Sequence, residues 1–196
     1  MPVMPFLVAP AILSGSLTVT GHPTLPVGDD ALLRPWLLTD AAAVREAFRD
    51  PEIQRWHVRR ADSVAEAEDW IAAWQGEWEA GAGAHWALVE AGGDALLGRV
   101  SLKAFDLQDG TAELAYWTVP SARGRGLCTR AVTVVTCWAM DGWGFHRIEL
   151  EHATANLASC RVAAKAGFEA EGIRRSAWQQ ADGRHDAHLH ARVRQG

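Results

Sequence analysis

The chain has 196 residues, 48% hydrophobic and 22% charged, which suits one ordinary domain with a full core and excludes a disordered polar segment. A formal charge of -5 argues against a dedicated nucleic-acid binder, because phosphate contacts need a basic surface, and it favours cationic partners. Cys128, Cys137 and Cys160 are odd in number and lack a CxxC spacing, so they point to reduced thiols in a cytoplasmic protein rather than a disulfide framework or a zinc motif.

The apolar start, Met1 to Leu13, has no Lys or Arg ahead of it and is too short to cross a bilayer. Neither a signal peptide nor membrane association is expected. Residues 1–30 read as an N-terminal arm, with β-prone Leu17–Thr20 and Thr24–Val27 pairing as a hairpin around Gly21-His22-Pro23. Residues 31–194 read as the main domain. Its first strand is Leu32–Arg34, stopped by Pro35. Asp40 is expected to cap a helix running to Phe48, and Asp50-Pro51 starts another helical turn. Ser63 and Glu66 have capping-box spacing, and Ala67, Ile71, Trp74 and Trp78 recur at helical intervals, so a helix with a buried stripe should run to Gly81. Trp70, Trp74 and Trp78 are read as core in preference to the rim of a pocket.

Strands follow at Trp86–Val89 and Ala95–Leu102, joined by the turn residues Gly92-Gly93-Asp94, and a further strand at Thr111–Val119 stops at Pro120. A Gly/Arg loop at 123–126 leads into an apolar helix ending near Asp141 and Gly142. Arg147–His152 is a strand, Asn156–Ala166 a loop and helix closed by Gly167, and Ala170–Trp178 pairs with His185–Val193 across Asp182-Gly183. The order predicts an α+β domain, one mixed and mostly antiparallel sheet of about seven strands flanked by helices.

The most informative stretch runs from Trp117 to Arg130. A strand ends, a glycine loop follows and a helix starts at once. The first N–H groups of a helix are unpaired and carry the positive end of its dipole. Gly124 and Gly126 remove side chains that would hold an anion off the backbone, while Arg123, Arg125 and Arg130 add charged donors. A pyrophosphate is the natural guest. The loop is neither a Walker loop nor the GxGxxG fingerprint, and alone it is equally compatible with a structural turn.

Arg123-Gly-Arg-Gly-Leu-Cys128 is similar to the Arg/Gln-x-x-Gly-x-Gly/Ala signature of the GNAT acetyltransferases. Asn156-Leu-Ala-Ser159, followed by Lys165-Ala-Gly-Phe168 and Glu171-Gly172, resembles that family's next motif. With Ala112-Glu-Leu-Ala-Tyr-Trp117 upstream, the pattern resembles the RimJ/RimL branch, which acetylates protein N-termini. The resemblance covers residues 31–194 and implies the GNAT fold, acetyl-CoA as cosubstrate and no metal. It also implies acetyl transfer to a primary amine, here a protein or peptide N-terminal amine, by direct attack in a ternary complex. Under it, the backbone of Arg123, Gly124, Arg125, Gly126, Leu127, Cys128 and Thr129 holds the CoA pyrophosphate. The strand end Trp117, Thr118 and Val119 pairs with the pantetheine arm, Asn156 bonds the pantetheine amides, and Ser159 sits by the thioester sulfur.

Two positions depart from the family pattern. Cys128 stands where the signature has Gly or Ala, and Ala163 stands where many members place a Tyr that protonates the leaving thiolate. Glu113, on the strand entering the CoA site, is the candidate base for the acceptor amine, and Ser159 the candidate thiolate partner, with helix capping as its alternative role. A covalent acetyl-cysteine at Cys128 or Cys160 is disfavoured. Asp186, His188 and His190 alternate on the last strand, and a solvated strand face is the expected reading over a metal site. The acceptor channel is expected between the helices of Asp40–Gly81 and the Asp182-Gly183 hairpin, with Glu46, Glu77, Glu79 and Asp182 as its charges. A small-molecule amine acetyltransferase and a non-catalytic acetyl-CoA sensor remain as alternatives, and a homodimer stays open.

Overall fold

In the computed structural model, which describes residues 7–195, eight strands form one sheet. They are β1 (Leu25–Pro26), β2 (Ala31–Pro35), β3 (Ala84–Glu90), β4 (Leu96–Asp106), β5 (Thr111–Thr118), β6 (Arg147–Ala153), β7 (Glu169–Gln180) and β8 (Gly183–Val193). Their spatial order is β1-β2-β3-β4-β5-β6-β8-β7. Five helices flank the sheet: α1 (Ala41–Ala47), α2 (Pro51–Arg55), α3 (Val64–Glu79), α4 (Leu127–Cys137) and α5 (Leu157–Lys165). This is the α+β fold the sequence predicts, with one more strand because two residues of the arm pair with β2.

Each face of the sheet carries its own core. On one side Leu88, Val100, Leu102, Leu114, Ile148 and Leu150 pack under α4 and α5. On the other, Ala87, Val89 and Trp117 pack against Trp36, Phe48, Ile71 and Trp74 from the α1–α3 side. β3 lies under both layers, which is why its residues 84–89 are buried without alternation. Trp74 and Trp78 are core residues, as their spacing predicts.

The local signals behave unevenly. Ser63 Oγ accepts the Glu66 N–H at 3.2 Å and the Glu66 carboxylate accepts the Ser63 N–H at 3.4 Å and the Asp62 N–H at 2.7 Å, so the capping box starts α3. Asp50 Oδ1 accepts the Ile53 N–H at 2.9 Å with Pro51 in the first turn of α2. Asp40 does not cap α1. Its carboxylate is taken by Arg34 at 2.7 and 2.8 Å and by the Leu37 N–H, a buried bidentate pair that outcompetes a cap. Leu17–Thr20 does not form the expected strand either. Residues 16–18 make a single 3-10 turn whose Leu17, with Ile12, is buried in the main core. The arm is clamped further in, where His22 stacks on Trp78 at 4.4 Å and Trp86 Nε1–H donates to the Pro23 carbonyl.

The feature that shapes the site lies between β5 and β6. These two are the parallel pair of the sheet, and they stay together only over Thr111–Glu113 against Arg147–Glu149. Beyond Glu113 they splay, and the rest of β5 has no strand partner on that side. The chain crosses between them through α4, whose helical run continues as a π-helical turn over Trp138–Gly142. The His188/His190 face of β8 is not solvated, contrary to expectation. It turns toward α5, which leaves His190 only 3% exposed, while exposed Asp186 instead accepts the Ser176 N–H of β7 at 2.7 Å.

Candidate active site

Two adjoining clefts open where β5 and β6 separate. The first, of about 490 Å³, is walled by Trp117 and Thr118 of β5, by Ala122–Gly124 and Gly126–Thr129, and by the α5 side chains Asn156, Ser159, Arg161 and Lys165. The second, of about 450 Å³, is walled by Lys103, Glu113–Tyr116, Leu150–His152 and Ala177–Gln180. Trp56, His57, Tyr116, Asn156 and Ser159 line both clefts, so these residues mark the junction.

The first cleft is backbone-built. Gly124 and Gly126 have φ of 74° and 72°, a region L side chains avoid, and Gly126 caps α4 without any side-chain hydrogen bond. Among the described residues, the N–H groups of 124–129 have no acceptor, and the first hydrogen bond of the helix is from the Arg130 N–H to the Gly126 carbonyl. The uncapped end of an eleven-residue helix therefore opens into the cleft. The loop arginines are largely committed elsewhere. Arg123 pairs with Asp50 at 2.9 Å and donates to the Thr118 carbonyl, while Arg125 and Arg130 both reach Asp30. The free cations come from α5 instead. Arg161 and Lys165, four residues apart on one helix face, have no ion-pair partner among the described residues.

Of the expected site residues, the structure gathers Trp117, Thr118, Arg123, Gly124, Gly126, Leu127, Cys128, Thr129, Asn156 and Ser159 around this cleft. It leaves out Val119 and Arg125. Val119 N–H donates to the Leu97 carbonyl and its own carbonyl accepts from Ala122, so its backbone is spent inside the fold. Glu113 lines the second cleft, with its carboxylate paired to Lys103 at 2.7 Å.

Ser159 is not the helix cap. Asn156 Oδ1 accepts the Ser159 N–H at 3.1 Å, which starts α5 and leaves both the Asn156 amide NH₂ and the Ser159 hydroxyl for other partners. The Ser159 hydroxyl shares a 2.7 Å hydrogen bond with Tyr116, whose O–H also reaches the Ser159 carbonyl at 3.3 Å. Burial, with Cys128 close by, raises the Tyr116 phenol far above its ordinary value, so it stays protonated. Burial likewise pushes the Cys128 thiol up to about 12, which removes it as a nucleophile despite its place at a helix start.

Tyr116 and His57 escaped the sequence reading. Tyr116 had a signal, since it is the one tyrosine of the chain and stands on the strand entering the loop. His57 had none. It follows α2, hydrogen-bonds the Ile53 carbonyl through Nδ1 at 2.7 Å, and has its pKa lowered by burial, so Nε2 is an unprotonated acceptor at neutral pH. Of the four charges expected around the acceptor channel, Glu79 lines neither cleft and the other three are paired. Glu77 is held by buried His85 at 2.7 Å, Glu46 by Arg49, and Asp182 by His185 at 2.6 Å. The carboxylates lining the second cleft are Glu113 and Glu151.

Residues 30–169 match the family model described as "Acetyltransferase (GNAT) domain". The chain belongs to the GNAT acetyltransferase family. It is 33% identical over 157 residues to a probable N-acetyltransferase, YjcK, of Bacillus subtilis (strain 168), spanning 76% of this chain and 85% of that protein. It is 28% identical over 100 residues to the ribosomal-protein-serine acetyltransferase of Escherichia coli (strain K12), spanning 51% of this chain and 56% of that protein. Among solved structures it superposes on RimL, a ribosomal L7/L12 alpha-N-protein acetyltransferase in complex with coenzyme A, with a TM-score of 0.80 at 20% identity, covering 87% of this chain and 98% of that one. This GNAT member is therefore an N-acetyltransferase of RimJ/RimL-like fold, and solved proteins of that fold bind acetyl-CoA or coenzyme A. No helix among the described residues is long and apolar enough to cross a membrane.

Proposed function

We propose that this acetyltransferase modifies the α-amino group of a protein or peptide, working in the cytoplasm by direct transfer in a ternary complex. The observation that carries the reading is the junction itself, where the hydrogen-bonded pair Tyr116–Ser159 is shared by a phosphate-ready cleft and an acidic one. In this reading the CoA pyrophosphate lies on the N–H groups of Gly124–Thr129, with Arg161 and Lys165 beside it. The pantetheine arm runs along the unpartnered edge of β5 at Trp117 and Thr118, and the Asn156 amide bonds its carbonyls.

The acceptor enters the second cleft as an ammonium, displaces Lys103 from Glu113, and loses a proton to that carboxylate or to His57 Nε2. The neutral nitrogen then attacks the thioester carbonyl and gives up its second proton to solvent, the C–S bond breaks, and the departing thiolate takes a proton from the Ser159 hydroxyl. Tyr116 O–H passes its proton to Ser159 as that proton leaves and regains one from solvent, so the phenol is protonated again at the end of the cycle. Ala163, where many relatives carry an acid, has no proton to give, so this pair supplies the missing function.

The ribosomal-protein acetyltransferases among the similar proteins support a peptide acceptor. So does the second cleft, about 450 Å³, whose lining runs from Trp56–Val58 to Ala177–Gln180 of β7, two of the segments expected to face the acceptor. The test is thiol release from acetyl-CoA over two panels, short peptides with free N-termini and small amines. The expected result is turnover of peptides, best with nearby basic residues. A kcat/KM for any small amine well above every peptide removes the N-terminal reading. No thiol release with either panel, alongside tight acetyl-CoA binding, marks a sensor instead.

A further inference from the structure

Behind the junction, three histidines and a cysteine face one another with no role in the transfer just described. His152 on β6 is paired in register with His188 on β8, and His190 lies two residues on, so all three share the sheet face that α5 covers. Cys160 comes down onto them from the first turn of α5. One ligand atom from each of these four residues lies within 4.8 Å of the others.

The hydrogen bonding inside the cluster is incomplete in a telling way. His152 Nδ1 faces the Ala153 carbonyl at 2.9 Å, which fixes the proton there and leaves the Nε2 lone pair pointing at His190 Nε2, 3.1 Å away. Nδ1 of His188 is buried without any partner, and Nδ1 of His190 makes no well-formed hydrogen bond, with the Phe168 backbone beside the ring. A buried ring nitrogen left without a partner is costly, and one that sits in a cluster of metal-ligating side chains is hard to explain as packing. A backbone carbonyl orienting one imidazole, with lone pairs of neighbouring rings and a thiol converging on the same space, is how a protein prepares a soft-to-borderline metal site.

We propose that His152, Cys160, His188 and His190 form a four-coordinate site for a zinc-type transition-metal ion. Zinc bond lengths of about 2.0–2.1 Å to nitrogen and 2.3 Å to sulfur set donors about 3.3–3.7 Å apart in a tetrahedron, so the cluster needs to close by about 1 Å, within reach of side-chain rotation. The thiol loses its proton to solvent on binding, and the imidazoles bind neutral. His152 also lines the second cleft, which gives the ion a path in. The ion is not needed for acetyl transfer. It would pin the first turn of α5 through Cys160, next to Ser159, and so modulate that turn. The inference stands whichever acceptor the enzyme uses.

The test uses the tag-free full-length chain, stripped with chelator, kept reduced with a phosphine and titrated with Co²⁺. One equivalent should give a thiolate-to-cobalt charge-transfer band in the near ultraviolet and the intense visible bands of four-coordination, both displaced by Zn²⁺. Cys160→Ser should remove the charge-transfer band and weaken binding at least about tenfold, His188→Gln should weaken it similarly, and Cys137→Ser should change neither. Zn²⁺ should raise the melting temperature of the native chain and not of Cys160→Ser. Absence of the band, its survival in Cys160→Ser, or only weak six-coordinate cobalt spectra overturns the proposal.

Discussion

The two clefts meet at Tyr116 and Ser159 and are made of different material. The first is walled by backbone: a glycine loop, the bare start of α4 and the free edge of β5. The second is walled by side chains that converge from distant parts of the chain, Lys103 and Glu113 from neighbouring strands, His57 from beyond α2, Trp178 from β7. A backbone site is specified by a few contiguous residues and tolerates changes in its side chains. A side-chain site is specified by tertiary packing and can be retuned one position at a time. The first suits an invariant ligand, the second a variable one.

The largest effect should come from breaking the backbone wall. Gly126→Glu puts a carboxylate at the anion position and an L side chain at a φ of 72°, so acetyl-CoA affinity should fall at least about 100-fold, and the melting-temperature rise on adding acetyl-CoA should vanish. A variant that still binds would move the cofactor out of this cleft.

At the junction, Ser159→Ala should lower kcat about 10- to 100-fold while acetyl-CoA affinity stays within about twofold, and Tyr116→Phe should cost less because solvent can resupply Ser159. Equal losses in affinity and kcat would mean that the pair only positions the cofactor. On the acceptor side, Glu113→Gln should lower kcat about tenfold near pH 7 with acetyl-CoA affinity unchanged. The sign of its pH dependence follows from the amine. An α-amino group with a pKa of about 8 is increasingly neutral as pH rises, so the deficit should shrink toward alkaline pH. A constant deficit shifts the proton transfer to His57, whose lowered pKa already keeps it neutral at pH 7.

The smallest effects separate the cations. Arg123→Ala should change acetyl-CoA affinity by less than about threefold, because its guanidinium is tied to Asp50, whereas Arg161→Ala combined with Lys165→Ala should cost about tenfold, and more at low salt. The reverse order would return the phosphate contacts to the loop.

The same division governs what the sequence revealed. The fold was legible because capping boxes, turn glycines and strand-ending prolines act within a few residues, as at Ser63, Gly126 and Pro120. The first cleft was legible for that reason too. Asp40 misled because a partner six residues back, Arg34, took its carboxylate. Leu17–Thr20 misled because intrinsic β preference yielded to burial of Leu17 in the core. The second cleft was largely hidden. Glu77 was expected to charge the acceptor channel, but His85, on another element, claimed it, and nothing near His57 announced that α2 would deliver it to the junction.

The splay between β5 and β6 has a further consequence for how the molecule lives in a crowded solution. An unpaired strand edge at the rim of a sheet invites another protein chain to add to it, and the outermost strand here, β7, counters that with register breaks and exposed charges at Glu169, Glu171, Arg174 and Arg175. The free edge of β5 carries no such protection, and it needs none. It lies inside the sheet, at the floor of a cleft bordered by β6, α4 and α5, where a partner strand with its side chains meets more obstruction than at the rim. A thin, flexible, amide-bearing thread is the guest that fits such an edge. The protein thus keeps a sticky backbone edge ready for a small molecule while denying it to aggregation.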